Sequence, residues 1–239
     1  MPLKASAASI TTSAQDYLKA IYVLEAERGQ VSTNDLAHRL GVAPSSVTVM
    51  VKRLAAEGLV AHLPYRGVRL TPTGEAAALR VVRRHRLLEA FLHDVLRMPW
   101  DEVHDEAEIL EHAISDRLED RIAEVIGHPT RDCHGDPIPP KPGLHRELVD
   151  EPLDSVPPGS WVRVERVSDR DPAVLRDCAR WGIGLGAEFV VIDRSRSLGA
   201  TSIQLGRRRH ALEPAVSRSI FVSILSGCDA ADPLRRRLP

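Results

Sequence analysis

Between His104 and His112 the chain reads His104-Asp-Glu-Ala-Glu108-Ile-Leu-Glu111-His112, with two imidazoles and two carboxylates spaced by three, four, seven and eight residues. Positions at those intervals stack on one stripe of an α-helix, so the four side chains can converge while Ile109 and Leu110 point elsewhere. Nitrogen and oxygen donors in this mixture suit a borderline-to-hard divalent cation. A second pair, His85 and Glu89, stands at i, i+4 in another apolar-periodic segment, Leu79 to Leu96, and six ligand-type residues meet if the two helices pack. The competing reading is a charged, solvated face, because Asp101, Glu102, Asp105 and Glu106 crowd the same segment. Paired histidines beside carboxylates in two segments favour the metal site.

Composition bounds what can hold these residues. At 239 residues with 43% hydrophobic content, the chain is long enough for more than one core. A net charge of -1 excludes a polybasic coat, so any contact with nucleic acid must come from a local patch. Charge is uneven: 8 Lys/Arg face 5 Asp/Glu up to Pro72, whereas Leu79 to Asp150 carries 10 against 16. The head can meet phosphates and the middle can meet cations. The opening MPLKASAAS lacks an apolar signal core and no run approaches the ~20 apolar residues that span a bilayer, so a soluble, cytoplasmic chain without a membrane partner is expected. Cys133, Cys178 and Cys228 lie far apart without CxxC spacing and read as reduced thiols.

The head has the pattern of a winged helix-turn-helix. Tyr17, Leu18, Ile21, Tyr22, Val23 and Leu24 give a helical stripe from Ser13 to Glu27, ending at Arg28-Gly29. Ser32 with Asp35 three residues on opens a short helix through Leu40, and Gly41 closes it. Pro44 suits the first turn of the next helix, Ser45 to Glu57, whose inward stripe is Val47, Met50, Val51 and Leu54. In such motifs the N-terminal residues of the second helix meet base edges in the major groove. Here these are Pro44, Ser45, Ser46 and Thr48, with Lys52 and Arg53 placed for phosphates. Two short strands, Leu59 to Leu63 and Val68 to Leu70, form the wing, and Arg66 at its tip suits a phosphate or the minor groove. The same elements without DNA contact would make a protein-binding module, but the polar tip and the basic residues favour DNA.

Taken together, Asp16-Tyr-Leu-Lys-Ala-Ile-Tyr22, Val42-Ala-Pro-Ser-Ser-Val-Thr48, Tyr65-Arg-Gly-Val-Arg-Leu-Thr-Pro-Thr-Gly74, Arg84-His-Arg-Leu-Leu-Glu89, Val103-His-Asp-Glu-Ala-Glu-Ile-Leu-Glu-His112 and Cys133-His-Gly-Asp-Pro-Ile-Pro139 resemble the diphtheria toxin repressor family of metal-dependent transcriptional regulators, and more closely its manganese-responsive branch. The motifs run in family order across residues 13 to 139. The resemblance implies a primary metal site from Asp16, Glu108, Glu111 and His112, a neighbouring site from His85, Glu89 and His104, and a homodimer made by the middle domain. Iron-responsive relatives carry Met and Cys where this chain has Asp16 and Glu108. Oxygen in place of sulfur favours the harder ion, so Mn(II) ranks first and Fe(II) second, while Co(II), Ni(II) or Zn(II) can substitute in vitro. Lys19 stands where one manganese-sensing subgroup has a second acid, which argues against that subgroup's close two-metal cluster. Val49 replaces the family's recognition-tip glutamine.

The carboxyl half begins with a proline-rich stretch, Pro137 to Pro158, that reads as a linker. Beyond it, Ser160 to Val167, Phe189 to Ile192, Ser202 to Leu205, His210 to Leu212 and Ser219 to Leu225 read as strands, with one helix from Pro172 to Trp181. This order resembles the SH3-like domain that longer family members append, and by that resemblance Asp171 is a candidate extra metal ligand. A solvated turn aspartate is the equal alternative. The glycines from Gly182 to Gly186 lack the strand-to-helix context of a dinucleotide site.

The expected fold is mainly α with a small β domain: a winged helix-turn-helix over 1–74, a helical metal-binding and dimerisation domain over 75–140, a linker over 141–158, an SH3-like barrel over 159–226 and a tail over 227–239. The expected function is a metal-dependent, DNA-binding transcriptional regulator, by the resemblance a Mn(II)-activated repressor of metal-uptake genes, acting as a homodimer on a palindromic operator with no small-molecule substrate; an Fe(II)-activated repressor of the same family is the alternative. The rival from a different class is a metal-dependent hydrolase with an accessory DNA-binding head. Against it, the chain has no nucleophile motif, no phosphate loop and only 4% aromatic residues to line a substrate pocket.

Overall fold

Three helices and a hairpin form at the amino-terminal end because local signals start and stop each of them. The computed structural model describes residues 10–63, 67–141, 150–195 and 199–225. Helix α1 (Thr12–Arg28) buries Tyr17, Leu18, Ile21, Tyr22 and Leu24 and ends where Gly29 turns left-handed. Helix α2 (Thr33–Leu40) is opened by a reciprocal cap: Ser32 Oγ accepts from the Asp35 amide at 3.1 Å and Asp35 Oδ2 accepts from the Ser32 amide at 3.1 Å. The Ser32 hydroxyl also donates to Asp35 Oδ2, and this bond, with the one from the Ser32 amide, holds the Asp35 carboxyl below its ordinary value. Helix α3 (Pro44–Ala56) starts on its proline and buries Val47, Val51 and Leu54. Strands β1 (Val60–Leu63) and β2 (Gly67–Leu70) pair antiparallel, and Val31 bridges to Val68. A predicted contact residue, Arg66, lies outside the described residues.

Helix α4 (Pro72–Asp94) follows, then α5 (Val103–Leu110) and α6 (Asp116–Val125). Ala78, Leu79 and Val82 of α4 complete the core made by Leu18, Ile21, Leu36, Val47, Leu54 and Val68. Glu119 of α6 is buried, and Arg83 and Arg84 of α4 reach its two oxygens at 2.9 and 3.1 Å, which offsets the cost of desolvating it.

The carboxyl half is a six-stranded antiparallel sheet: β3 (Glu151–Pro152), β4 (Trp161–Val167), β5 (Glu188–Arg194), β6 (Thr201–Leu205), β7 (Arg208–Leu212) and β8 (Ile220–Ile224), in the order β3-β8-β4-β5-β6-β7. Helix α7 (Pro172–Trp181) and the short α8 (Pro214–Ser219) complete it. Its core gathers Val162, Val164, Leu175, Phe189, Val191, Ile203, Leu212, Ile220 and Val222. Cys178 is buried in that core, and burial pushes its thiol up to about 12, so it stays an unreactive thiol; Cys133 is also free, and Cys228 lies outside the described residues.

Three expectations are corrected. Residues 151–158 are more than a linker: Pro152 pairs with Phe221, and Leu153 and Val156 are fully buried in the sheet's core. Helix α6, unread in the sequence, is present. Helix α5 ends at Leu110, so Glu111 and His112 sit in the turn that follows it. The described residues form two compact units, one of those within 1–85, 109–119 and 138–145, the other of those within 86–108, 120–137 and 146–239. No helix among the described residues is long and apolar enough to cross a membrane.

The Cys133 to Pro139 motif has a structural explanation. Asp132 Oδ1 accepts from the amides of His134 and Asp136, both at 2.9 Å, and closes a turn whose His134 carbonyl accepts from the Val167 amide of β4. Gly135 has a φ of +93°, and a Cβ there would sit 2.1 Å from the Glu165 carbonyl oxygen. Both the positive φ and the close approach exclude a side chain. Gly135→Ala is therefore expected to cost about 3 kcal/mol of unfolding free energy, read as a lowered urea midpoint at unchanged slope.

Candidate metal centres and nucleic-acid interface

In the first unit, Asp16 on α1 meets Glu111 and His112 from the turn after α5. The three offer ligand atoms within 4.8 Å of one another. His112 Nε2 is 2.8 Å from Asp16 Oδ1 and 3.4 Å from Glu111 Oε1. Gln15 Oε1 lies 2.8 Å from His112 Nδ1; with that oxygen as acceptor the ring donates from Nδ1 and turns Nε2 toward Asp16. Glu111 is fully buried, and its two oxygens differ. Oε2 receives Lys19 Nζ at 2.8 Å and lies 2.6 Å from His85 Nδ1, while Oε1 has no hydrogen-bond partner. A buried carboxylate oxygen left bare beside an imidazole and a second carboxylate fits a divalent cation, which supplies the missing charge and bonds. Lys19 Nζ also lies 3.0 Å from His85 Nδ1, so an ammonium stands beside the Glu111–His85 pair and within reach of both.

In the second unit, Glu89 on α4, His104 on α5 and Asp169 after β4 converge within the same 4.8 Å limit. His104 Nδ1 is 3.2 Å from Glu89 Oε1 and 2.9 Å from Asp169 Oδ2. Burial opposes charge on this imidazole, but the hydrogen bonds with Asp169 and Glu89 outweigh it and push His104 up to about 10. Asp169 shows the counterpart: burial alone would raise it, and the hydrogen bond to His104 brings it below its ordinary value. The proton on His104 thus fills the place of a cation. Its contribution to folding is complete below pH 6.5, the ordinary histidine value, and is lost as pH rises through about 10. Behind this group His134 is fully buried, stacks on Trp100 and reaches its carbonyl oxygen with Nε2 at 2.7 Å.

Of the predicted ligands, Asp16, Glu111 and His112 are brought together, with His85 beside Glu111, and Glu89 and His104 are brought together. Glu108, on the last turn of α5 and 44% exposed, comes within 3.8 Å of His104 Nε2. Asp171 is set apart. It is exposed and caps α7, accepting from the Ala173 amide at 2.9 Å. The acid that faces His104 is Asp169, two residues earlier. An Asp directly before Pro172 at a helix start is itself a capping signal, and it identifies Asp171 as the cap. No spacing rule links Asp169 to a histidine so distant in the chain.

On α3, Pro44, Ser45, Ser46, Thr48, Lys52 and Arg53 are all exposed, on the side away from Val47, Val51 and Leu54. Thr48 Oγ1 donates to the Pro44 carbonyl at 3.0 Å, and Arg53 pairs with Glu57 at 2.9 Å across exposed surface, where such a pair is weak and easily exchanged for phosphate.

The family model "Iron dependent repressor, N-terminal DNA binding domain" matches residues 9–68, "Iron dependent repressor, metal binding and dimerisation domain" matches 71–140, and "FeoA domain" matches 151–224. The HTH-type transcriptional regulator MntR of Lysinibacillus sphaericus is 40% identical over 116 residues, covering 48% of this chain and 83% of the relative. The chain belongs to the iron-dependent repressor family. The diphtheria toxin repressor of Corynebacterium efficiens is 34% identical over 189 residues, covering 74% of this chain and 81% of that one. A solved manganese-dependent transcriptional repressor in complex with manganese superposes with a TM-score of 0.83 at 43% identity, covering 89% of this chain and all of the other. Repressors of this family are DNA-binding proteins and not enzymes, which sets the hydrolase alternative aside.

A divalent ion entering the Glu89, His104 and Asp169 group must displace the His104 proton. Calorimetric titration of Mn(II) near pH 7 in buffers of different ionisation enthalpy is expected to report about one proton released at this group, and His104→Ala to abolish that release. Equal proton release from protein and variant would show that His104 is not displaced.

Proposed function

We propose that this chain is a manganese-activated, homodimeric repressor that binds a palindromic duplex operator and controls genes for metal uptake. The observation that supports it most is the bare, buried Oε1 of Glu111 among donors that are all nitrogen or oxygen. Ranking manganese above iron rests on the carboxylates of Asp16 and Glu108, where iron-responsive relatives carry softer sulfur. In this reading Asp16, Glu108, Glu111 and His112 hold one ion, and His85, Glu89 and His104 serve a second, with Asp169 in the role first given to Asp171. Pro44, Ser45, Ser46, Thr48, Lys52, Arg53 and Arg66 face DNA.

The mechanism follows from where the ligands originate. Asp16 belongs to the segment matched by the DNA-binding model, and Glu111 and His112 to the segment matched by the metal-binding and dimerisation model. A bound divalent cation supplies the charge that lets these acids stay together. Gln15 orients the His112 ring, Lys19 neutralises the other oxygen of Glu111, and α1 carries the head into one fixed pose. Two heads so fixed in a dimer hold their α3 helices near one DNA repeat apart, ~34 Å or a multiple. A coupling of about 1–3 kcal/mol changes operator affinity roughly 5- to 150-fold, and operator must tighten metal binding by the same factor.

Selection of duplexes from a random library across a series of divalent metals identifies operator and ion together. With the selected duplex, Asp16→Ala and Glu108→Ala are each expected to lose the metal-stimulated gain in affinity, roughly 5- to 150-fold, while keeping weak low-salt binding to any DNA. Metal stimulation retained in both variants would refute the proposal.

A further inference from the structure

We infer that Val49 reads the 5-methyl group of a thymine in the operator and so sets the sequence preference of the recognition helix. The inference rests on the DNA-binding reading above and goes beyond it by naming the base feature. Val49 is 70% exposed, although its neighbours Val47 and Val51 are buried at 0 and 2%. It stands four residues after Ser45 and three before Lys52, so the three side chains share one stripe of α3, opposite the buried Val47, Val51 and Leu54. That stripe runs from the hydroxyl-bearing tip, where base edges are met, to the lysine placed for phosphate. Val49 lies between them on the exposed face of the helix.

A single exposed valine on a protein surface is ordinary. Ile109 and Val125 are β-branched, helical and nearly as exposed, at 69 and 60%, so what sets Val49 apart is its place on the recognition stripe and what it offers there. A β-branched side chain on an exposed helical position is less favourable than alanine, and Val49 buries little in return within the described residues. Its isopropyl group neither donates nor accepts a hydrogen bond, so it cannot read the amino, carbonyl or ring-nitrogen pattern of the major groove. The apolar feature that the groove presents there is the thymine methyl. Thr48, the next residue, has its hydroxyl proton committed to the Pro44 carbonyl. The hydroxyls at Ser45 and Ser46 remain for the neighbouring bases.

The test uses the full chain, Mn(II) and the duplex recovered by random-library selection, with each thymine replaced in turn by uracil, which pairs alike but lacks the methyl. At one thymine per half-site the replacement is expected to weaken binding about fourfold, the value of one buried methyl-sized group. Val49→Ala should weaken binding to the thymine duplex by a similar factor and lose the distinction between thymine and uracil at that position. Its thermal unfolding should be no lower than that of the parent chain and its low-salt affinity for an unrelated duplex should match the parent's, which separates lost reading from lost folding. If every uracil is silent in the parent, or if the uracil loss persists undiminished in Val49→Ala, the inference is overturned while the repressor reading stands. If no duplex is enriched with any metal, both fall together.

Discussion

A carboxylate with no access to water sets the terms for the rest of this molecule. Glu111 is completely buried, and an ionised acid in that position is costly by several kcal/mol unless its charge and both its oxygens are met. The fold meets one oxygen with the Lys19 ammonium and the His85 ring and leaves the other bare, next to His112 and Asp16. The capped helices, the α4 to α6 clamp through Glu119 and the core under α1 hold these partners within a few ångströms while one oxygen stays unsatisfied. Such an arrangement is stable without a ligand and gains when one arrives, which is what a sensor of a small cation requires.

The second cluster follows the same logic by other means. There the deficit of positive charge is met by a proton on His104, shared between Glu89 and Asp169. The turn closed by Asp132 lies behind it, fastened to β4 through the His134 carbonyl and by the close approach that only Gly135 permits. The motif from Cys133 to Pro139 therefore acts through its backbone and through a buried, stacked histidine, and its thiol needs no chemical role.

How much of this was legible in the chain depended on how local each signal was. The boundaries of α1, α2 and α3 are set within three or four residues by Gly29, the Ser32 and Asp35 cap, Gly41 and Pro44, and all were readable. The pattern of His104, Glu108, Glu111 and His112 pointed to chemistry correctly, although the helix stops at Leu110 and the last two ligands are delivered by a turn. Helix α6 was hidden because charged residues from Asp116 to Arg121 mask an inward face of only Ile122 and Ala123 with the paired Glu119. Leu153 and Val156 were obscured by the prolines around them, although β-pairing to β8 draws both into the core. Asp169 depends on a meeting between elements far apart in sequence, and no spacing encodes it.

Lys19 has a consequence for the resting protein. Small metal-built domains unravel when stripped of their ion, because the free energy of binding it is much of the free energy that folds them. Here a positive group is attached to the backbone itself, so part of the counterion never leaves however scarce the metal becomes. That tethered ammonium offsets part of the repulsion among the gathered acids whether or not an ion is bound.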